Sequence, residues 1–522
     1  MKTTLIFVRH AQAEGNIQRE FHGWTDSNIT ADGHKQAKLA AEKLADVKID
    51  VLYSSSLKRT LQTAEYISRV KNLPIVRTDK LKEINGGDWE GVKFDELPVK
   101  YPESNYTWEN KPHEHVMPNG ETMVEFQARL VDEVKNIILQ NQGKKVCIVT
   151  HGTAIKALMC YFQGLPLEEM LYIPWYDNTS ISIIDCEDSK YEVISEGDAS
   201  HLDPSLSTLQ NQEWWQDYQK KLEEHKIKRG KIDMRRSNLV SWLFETTAFR
   251  VCEPNKPFWY TSGTIGPFYI NTHFLFGSEK KANDFLKFID SEKAEKVTLT
   301  NKLLKKTREN YEQDKIYKDL IDSMVDFIKE NVAINEIDYI SGGERRDWFF
   351  SVIAADILKK PHITLFKDME AYIGNVNDEK FKKVEASSLN GARVLHIADL
   401  ITEASSYERA WVPAIKSLGG KMIDSLVVVD RMQGGAKVLE GLGVKSNAMI
   451  SIDESLFSSA LEQELINEEQ NKMLLSYFHN PKESMREFLL KNKSFLNEAL
   501  KSDPKTAERA KLLIEKDLYK LN

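Results

Sequence analysis

Short apolar runs that stop at charged or small polar residues punctuate the first two hundred positions. Thr4–Val8 ends in Arg9-His10-Ala11, and Val146–Val149 ends in Thr150-His151-Gly152. Runs of this length suit strands buried on both faces of a parallel sheet. Between them the period lengthens to that of a helix. Thr30 is placed to cap a helix reaching Leu44, with Ala37, Ala40, Ala41 and Leu44 on one face. Leu57 to Ser68 and Gly152 to Phe162 read as further helices, and Ile181–Ile184 as the last strand of this part. Strands alternating with helices predict a sheet whose strand ends carry the chemistry.

The pattern changes after Ala199–Ser205, where small and turn-forming residues gather. Residues 213–231 are highly charged, with Trp214, Trp215, Tyr218 and Leu222 at helical spacing. They read as a connecting helix with one docked face rather than as an aromatic binding platform. Beyond it alternation resumes. Ile340-Ser341-Gly342-Gly343-Glu344 precedes a helix from Asp347 to Leu358. Val394 to Ser406 reads as a strand and then a turn rich in small hydroxyl residues, followed by a helix to Leu418. Met422–Val429 is a strand ending in Asp430-Arg431 and Gln433-Gly434-Gly435. The tail is charged and helical, broken near Asn480-Pro481 and Asp503-Pro504, and reads as a helical cap or dimer contact. The expected organisation is therefore a domain at 1–200, a linker helix at 201–237, a second domain at 238–460 and a helical tail at 461–522. The fold class is α/β, with two three-layer domains built on mainly parallel sheets.

Composition narrows the partners. A chain of 522 residues with 41% apolar and 29% charged positions has ample core for more than one domain. A net charge of -8 argues against nucleic acid. No run of eighteen apolar residues marks a membrane span. The chain runs directly into a strand, so no cleaved leader is expected. Cys147, Cys160, Cys186 and Cys252 show no paired spacing, as suits reduced, buried thiols of a cytoplasmic protein.

Two histidines, two arginines and one carboxylic acid then stand out, mostly where apolar runs end. A neutral imidazole is a good nucleophile near neutral pH, so His10 is suited to attack phosphorus. A transferring phosphoryl group spreads negative charge over its oxygens, and stabilising that charge is most of the catalysis. Arg9 and Arg59 supply donor forks that match phosphate. His151 and Asn16 add donors, Arg59 falls in the first turn of the Leu57–Ser68 helix, whose N-terminus favours anions, and Gly152 is grouped with the phosphate-binding residues. Glu83 can protonate a leaving oxygen if its surroundings raise its pKa. This set needs no metal, and its expected partners are small phosphorylated metabolites. His22, His34, His113 and His115 fit no motif and read as surface or loop residues.

These motifs, with Gly23-Trp24, Thr30–Gly33, Ser54–Thr63 and Glu83–Gly91, resemble the histidine phosphatase superfamily, the phosphoglycerate-mutase-like fold. The resemblance implies His10 as nucleophile, Glu83 as acid, and Arg9, Arg59 and His151 as the phosphate pocket. It departs at Ala11, where the family usually has Gly. The run from Ile84 to Gly91, then Pro118 to Thr122, resembles the phosphatase branch, with water accepting the phosphoryl group. Mutase activity is the alternative.

The second part resembles type I phosphoribosyltransferases, orotate phosphoribosyltransferase in particular, through Thr261–Gly263, Gly266–Asn271, Gly342-Gly343, Ile397–Ser406 and Val429–Ala436. By that resemblance Asp399, Thr402, Ser405 and Ser406 lie at a ribose-5-phosphate site, and Gly342 and Gly343 at a pyrophosphate loop. Arg431 and Phe268 lie near a base. Mg2+ would accompany phosphoribosyl pyrophosphate, and a homodimer is expected. Ala398 stands where an acid is usual, and Glu403 puts negative charge near a phosphate site. The domain is therefore either a transferase or a non-catalytic nucleotide sensor. Its fusion to the first domain points to a nucleotide or ribosyl phosphate as the phosphatase substrate.

Overall fold

The computed structural model describes residues 1–188, 190–375 and 378–521. It is α/β and divides into two compact units, Met1–Arg229 and Gly230–Asn522. The helix Trp215–Glu245 runs across the division.

The first unit is built on six strands: β1 (Thr3–Arg9), β2 (Val51–Ser55), β3 (Ile75–Thr78), β4 (Lys145–Thr150), β5 (Ile181–Glu187) and β6 (Lys190–Asp198), in the order β3-β2-β4-β1-β5-β6. The ladders among β3, β2, β4 and β1 are parallel, and those of β5 and β6 are antiparallel. The period of two in β1 sorts its side chains between two cores. Leu5 and Phe7 pack with Phe126, Leu130 and Leu158 on one face. Ile6 and Val8 pack with Ala41, Ala64 and Ile67 on the other. Helices cover both faces, which makes three layers. Thr30 caps the helix Ala31–Lys43 by accepting from the Gly33 amide. Ile181–Ile184 is not the final strand, as β6 pairs beyond it. Exposure in β6 alternates residue by residue, so an edge strand of this kind leaves no apolar run to find.

The second unit holds a seven-stranded sheet in which Tyr339–Gly343 is central and pairs in parallel with His362–Leu365 and Arg393–Ile401. Lys421–Asp430 and Lys445–Ser451 extend the parallel side. Ala371–Gly374 and Lys382–Lys383 close the other edge antiparallel. Leu395 and Ile397 face the core that holds the helix Trp348–Leu358. Val394 and Ala398 face a second core with Trp411, Ala414 and Ile415. After the turn the chain forms a π-helical turn, Tyr407–Trp411, before the short helix Val412–Ser417. The tail is helical, and its Met485, Leu489, Leu513 and Tyr519 cluster around Ile265. Among the described residues no helix is long and apolar enough to cross a membrane.

Candidate active site

β1, β2 and β4 are adjacent and parallel, with Arg9 opposite Thr150 and Ser54 opposite Val149. Their C-terminal ends therefore lie at one edge, and the residues that follow each strand converge there. His10 and His151 come together with ring centroids 5.3 Å apart. Arg59 sits in the first turn of the helix Lys58–Lys71. A cavity of about 920 Å³ opens at this edge, lined by Arg9, His10, Asn16, Arg59, Glu83 and Gly152 among others.

His10 is buried, and its Nδ1 lies 2.8 Å from the Ala11 carbonyl oxygen. A carbonyl only accepts, so Nδ1 carries the proton and Nε2 keeps a free lone pair. Burial, then Arg59, Arg9 and His22, hold the imidazole well below its ordinary pKa and so neutral. The backbone around it is pinned. The Thr63 hydroxyl accepts from the Ala11 amide at 2.9 Å, and the Asn178 amide donates to the His10 carbonyl at 2.7 Å.

Arg59 is fully buried. It donates to the carbonyls of Thr25, His22 and Gly23 at 2.9, 3.0 and 2.7 Å, so it shapes the 22–25 loop as well as the cavity. Burial brings it down to about 10, which leaves it charged at neutral pH. Arg9 donates through Nη1 to the Tyr176 carbonyl at 2.5 Å. The Nε atoms of both arginines are buried without a partner among the described residues. His151 meets Ser55 Oγ through Nε2 at 2.8 Å, and its buried Nδ1 is also unpartnered. If Ser55 donates, Nδ1 becomes a further free donor. Asn16 accepts from the Ala13 amide through Oδ1 at 2.9 Å, leaving its NH2 group as a donor. Arg9, Asn16 and Arg59 line the cavity with donors of the kind that match a phosphoryl group, whereas His151 lies behind the lining.

Glu83 is buried and accepts from the Ile84 and Thr153 amides, both at 3.0 Å. Burial outweighs those bonds and the Arg59 charge, and raises its pKa. An acid with a raised pKa beside a neutral nucleophile is the division of roles that phosphoryl transfer through histidine requires.

Four features went unrecognised in the sequence. Ser55 lies inside the serine run, but its partner His151 is 96 residues away. His22 lines the cavity, its ring 6.2 Å from His10, and burial lowers it to about 4; it is not a surface residue. His115 is buried against Trp89 and Trp108, whereas His34 is exposed. Trp214, Tyr218 and Leu222 line the same cavity, so the helical spacing at 213–231 marks a wall of the site. Asp177 brings that segment in by accepting from the Thr208 and Leu209 amides at 3.0 and 3.3 Å.

In the second unit a smaller cavity, about 320 Å³, is lined by Asp399, Thr402, Ser405 and Ser406 together with Arg345, Arg346 and Lys367. Asp347 accepts from the Gly343 and Asp399 amides at 3.0 and 3.2 Å. Asp399 is buried, and its Oδ2 has no partner among the described residues. Burial and the neighbouring Asp347 push its pKa up. Glu403 is exposed and does not line the cavity, so its charge is not turned into it. Ala404 adopts φ 57°, the left-handed conformation for which glycine is the usual residue. Gly342 and Gly343 do not line this cavity. A side chain on Gly343 would meet Trp411 at 2.3 Å, and one on Gly342 would meet Ser351 at 2.1 Å, so close packing is what needs glycine there. Arg431 is also outside the lining, with its guanidinium 5.8 Å from the Phe268 ring centre.

Residues 5–199 match the family described as Histidine phosphatase superfamily (branch 1). Phosphoserine phosphatase 1 of Hydrogenobacter thermophilus is 33% identical over 198 residues, covering 38% of this chain and 93% of that protein. A 2,3-bisphosphoglycerate-dependent phosphoglycerate mutase of Bartonella tribocorum is 33% identical over 180 residues, covering 33% of this chain and 86% of that protein. The solved structure of Bacillus stearothermophilus YhfR is 34% identical, covers 38% of this chain and 100% of that one, and superposes with a TM-score of 0.38.

Proposed function

The chain belongs to the histidine phosphatase superfamily through residues 5–199, and on that premise we propose that its first unit hydrolyses a small phosphomonoester through a phosphohistidine at His10. Its function is that of a histidine-phosphatase-type phosphatase or of a phosphoglycerate-mutase-like enzyme. The observation that carries the proposal is geometric: His10, with Nδ1 committed to the Ala11 carbonyl and Nε2 unencumbered, lines one cavity with Glu83, Arg9 and Arg59.

The reaction balances in two steps. His10 Nε2 attacks phosphorus as the P–O ester bond breaks, and protonated Glu83 gives its proton to the departing oxygen. Water then attacks the phosphohistidine, Glu83 takes a proton from it, and phosphate leaves as His10 is restored. Arg9, Arg59 and Asn16 supply donors to the phosphoryl oxygens in both steps.

For the second unit we propose binding of phosphoribosyl pyrophosphate or a nucleotide. The support is the grouping of Thr402, Ser405 and Ser406 with Arg345, Arg346 and Lys367 around one cavity. Asp399, whose Oδ2 has no partner among the described residues, would hold Mg2+, and the ion would supply charge neutralisation to a diphosphate. Transfer to a base and non-catalytic sensing both follow from such binding. Covalent continuity with this unit favours a nucleotide or ribosyl phosphate as the substrate of the first.

The test is phosphate release by the full chain from nucleotides, sugar phosphates, phosphoserine and phosphoglycerates. Release that His10→Ala abolishes supports the phosphatase; isomerised phosphoglycerate without net phosphate would replace it with mutase activity. Pyrophosphate release that depends on an added base would make the second unit a transferase and exclude the sensor.

A further inference from the structure

Lys156 is a buried cation that the reaction above does not use. It is 4% exposed, yet it lines the 920 Å³ cavity. No carboxylate among the described residues lies within ion-pair distance of it. Its Nζ reaches the Tyr218 hydroxyl at 3.4 Å and lies 4.4 Å from the Trp175 ring centre. Burial alone brings it down to about 7. An unpaired buried ammonium is costly, and the cost is offset when a ligand brings the opposite charge.

Its position relates it to the His10 site. Gly152, Thr153 and Lys156 lie on one face of the helix Gly152–Phe162, because residues three and four apart are neighbours on a helix. Thr153 donates its amide to Glu83. A Cβ on Gly152 would meet Arg9 Nε at 3.2 Å and the Trp175 ring at 3.3 Å. Trp175 therefore lies against Gly152 and carries Lys156 over its face. Lys156 stands about one helical turn, roughly 5 Å along the axis, from Gly152, and both line the cavity that holds His10.

We infer that Lys156 binds a carboxylate carried by the substrate a few bonds from its phosphoester. The Tyr218 hydroxyl, which donates to the Ile173 carbonyl at 3.1 Å and accepts from the Trp175 amide at 3.2 Å, fixes the wall against which Lys156 lies. A carboxylate fits better than a second phosphate because one buried cation balances one negative charge. The other charged groups on this wall, Asp217 and Lys221, are exposed. The inference rests on the phosphatase reading of the His10 site and not on the ribosyl one. A ribosyl phosphate satisfies it only if it also bears a carboxylate.

The experiment compares esters that differ in the carboxylate alone, using the full chain. O-phosphoserine is paired with phosphoethanolamine, and 3-phosphoglycerate with glycerol 3-phosphate; p-nitrophenyl phosphate reports the basal site. The wild-type chain should prefer the acid of at least one pair by about 10- to 100-fold in kcat/KM, the range of a hydrogen bond to a charged group. Lys156→Met should erase that preference by lowering the acid only. Turnover of the carboxylate-free partner and of p-nitrophenyl phosphate should stay within about threefold of wild type, and Lys156→Arg should restore part of the preference. Equal loss on all esters would make Lys156 a packing residue and overturn the inference. So would wild-type turnover of p-nitrophenyl phosphate with no preference in either pair, which leaves the phosphatase reading standing. No release from any ester would remove that reading and the inference together.

Discussion

His10 and Glu83 are tuned in opposite directions by the same burial. Desolvation disfavours whichever form is charged, so burial lowers the pKa of the imidazole and raises that of the carboxyl. Hydrolysis needs the imidazole neutral and the carboxyl protonated at once. The rate should therefore fall as pH drops through the lowered pKa of His10, because the nucleophile becomes protonated. It should also fall as pH rises through the raised pKa of Glu83, because the acid is lost. Measured as kcat/KM against pH on an alkyl phosphate, the profile is a bell. Glu83→Gln should slow the alkyl ester by about 10²- to 10⁴-fold and remove the alkaline limb. It should slow p-nitrophenyl phosphate far less, since that leaving group needs no proton. A bell unchanged by Glu83→Gln would assign the alkaline limb to another group. At this scale the candidates for nucleophile, acid and arginines could be picked out, because strand ends concentrate them in recognisable triplets, and the structure brings them to one cavity. Ser55, Thr63 and Asn178 could not be picked out, since each acts through a partner 52 to 168 residues away.

The helix Gly152–Phe162 shows how one element serves two demands. Its first residue is glycine, at an end position where the interior penalty of glycine does not apply, and the space for a Cβ is taken by Arg9 and Trp175. Gly152→Ala should leave the melting midpoint of the first unit unchanged, while kcat/KM for phosphomonoesters drops about 10- to 100-fold through a displaced Arg9. A drop in stability with activity intact would contradict that account. The helix itself, the capped helix after Thr30 and the buried strands follow from apolar spacing, and the structure has them. The alternating edge strand β6 and the π-helical turn at Tyr407–Trp411 do not, because neither produces a periodic apolar signal. The segment 213–231 has the helical spacing expected of a connector, but its aromatic face forms part of a cavity wall, a role that spacing alone does not distinguish from ordinary docking.

Over the whole molecule, each unit has its own sheet and its own buried clusters. Unfolding of the full chain should therefore show two transitions rather than one. Orthovanadate, a mimic of the transferring phosphoryl group, should raise only the transition of the first unit, by about 5 °C or more at a hundred times its dissociation constant. Phosphoribosyl pyrophosphate with Mg2+ should raise only the other. Scanning calorimetry in the presence of each ligand checks this, and a single transition moved by both would refute independent sites. The sequence alone determined the α/β class, the existence of two sheet-based parts and the candidate site residues of the first, because these depend on local period and on motifs of a few residues. Only the tertiary structure decided which of those residues meet and in what protonation state. It alone placed Lys156, His22 and the 214–222 face on the cavity and turned Glu403 away from the second one. Burial, tautomer and charge balance are properties of surroundings assembled from distant segments, and no local pattern carries them.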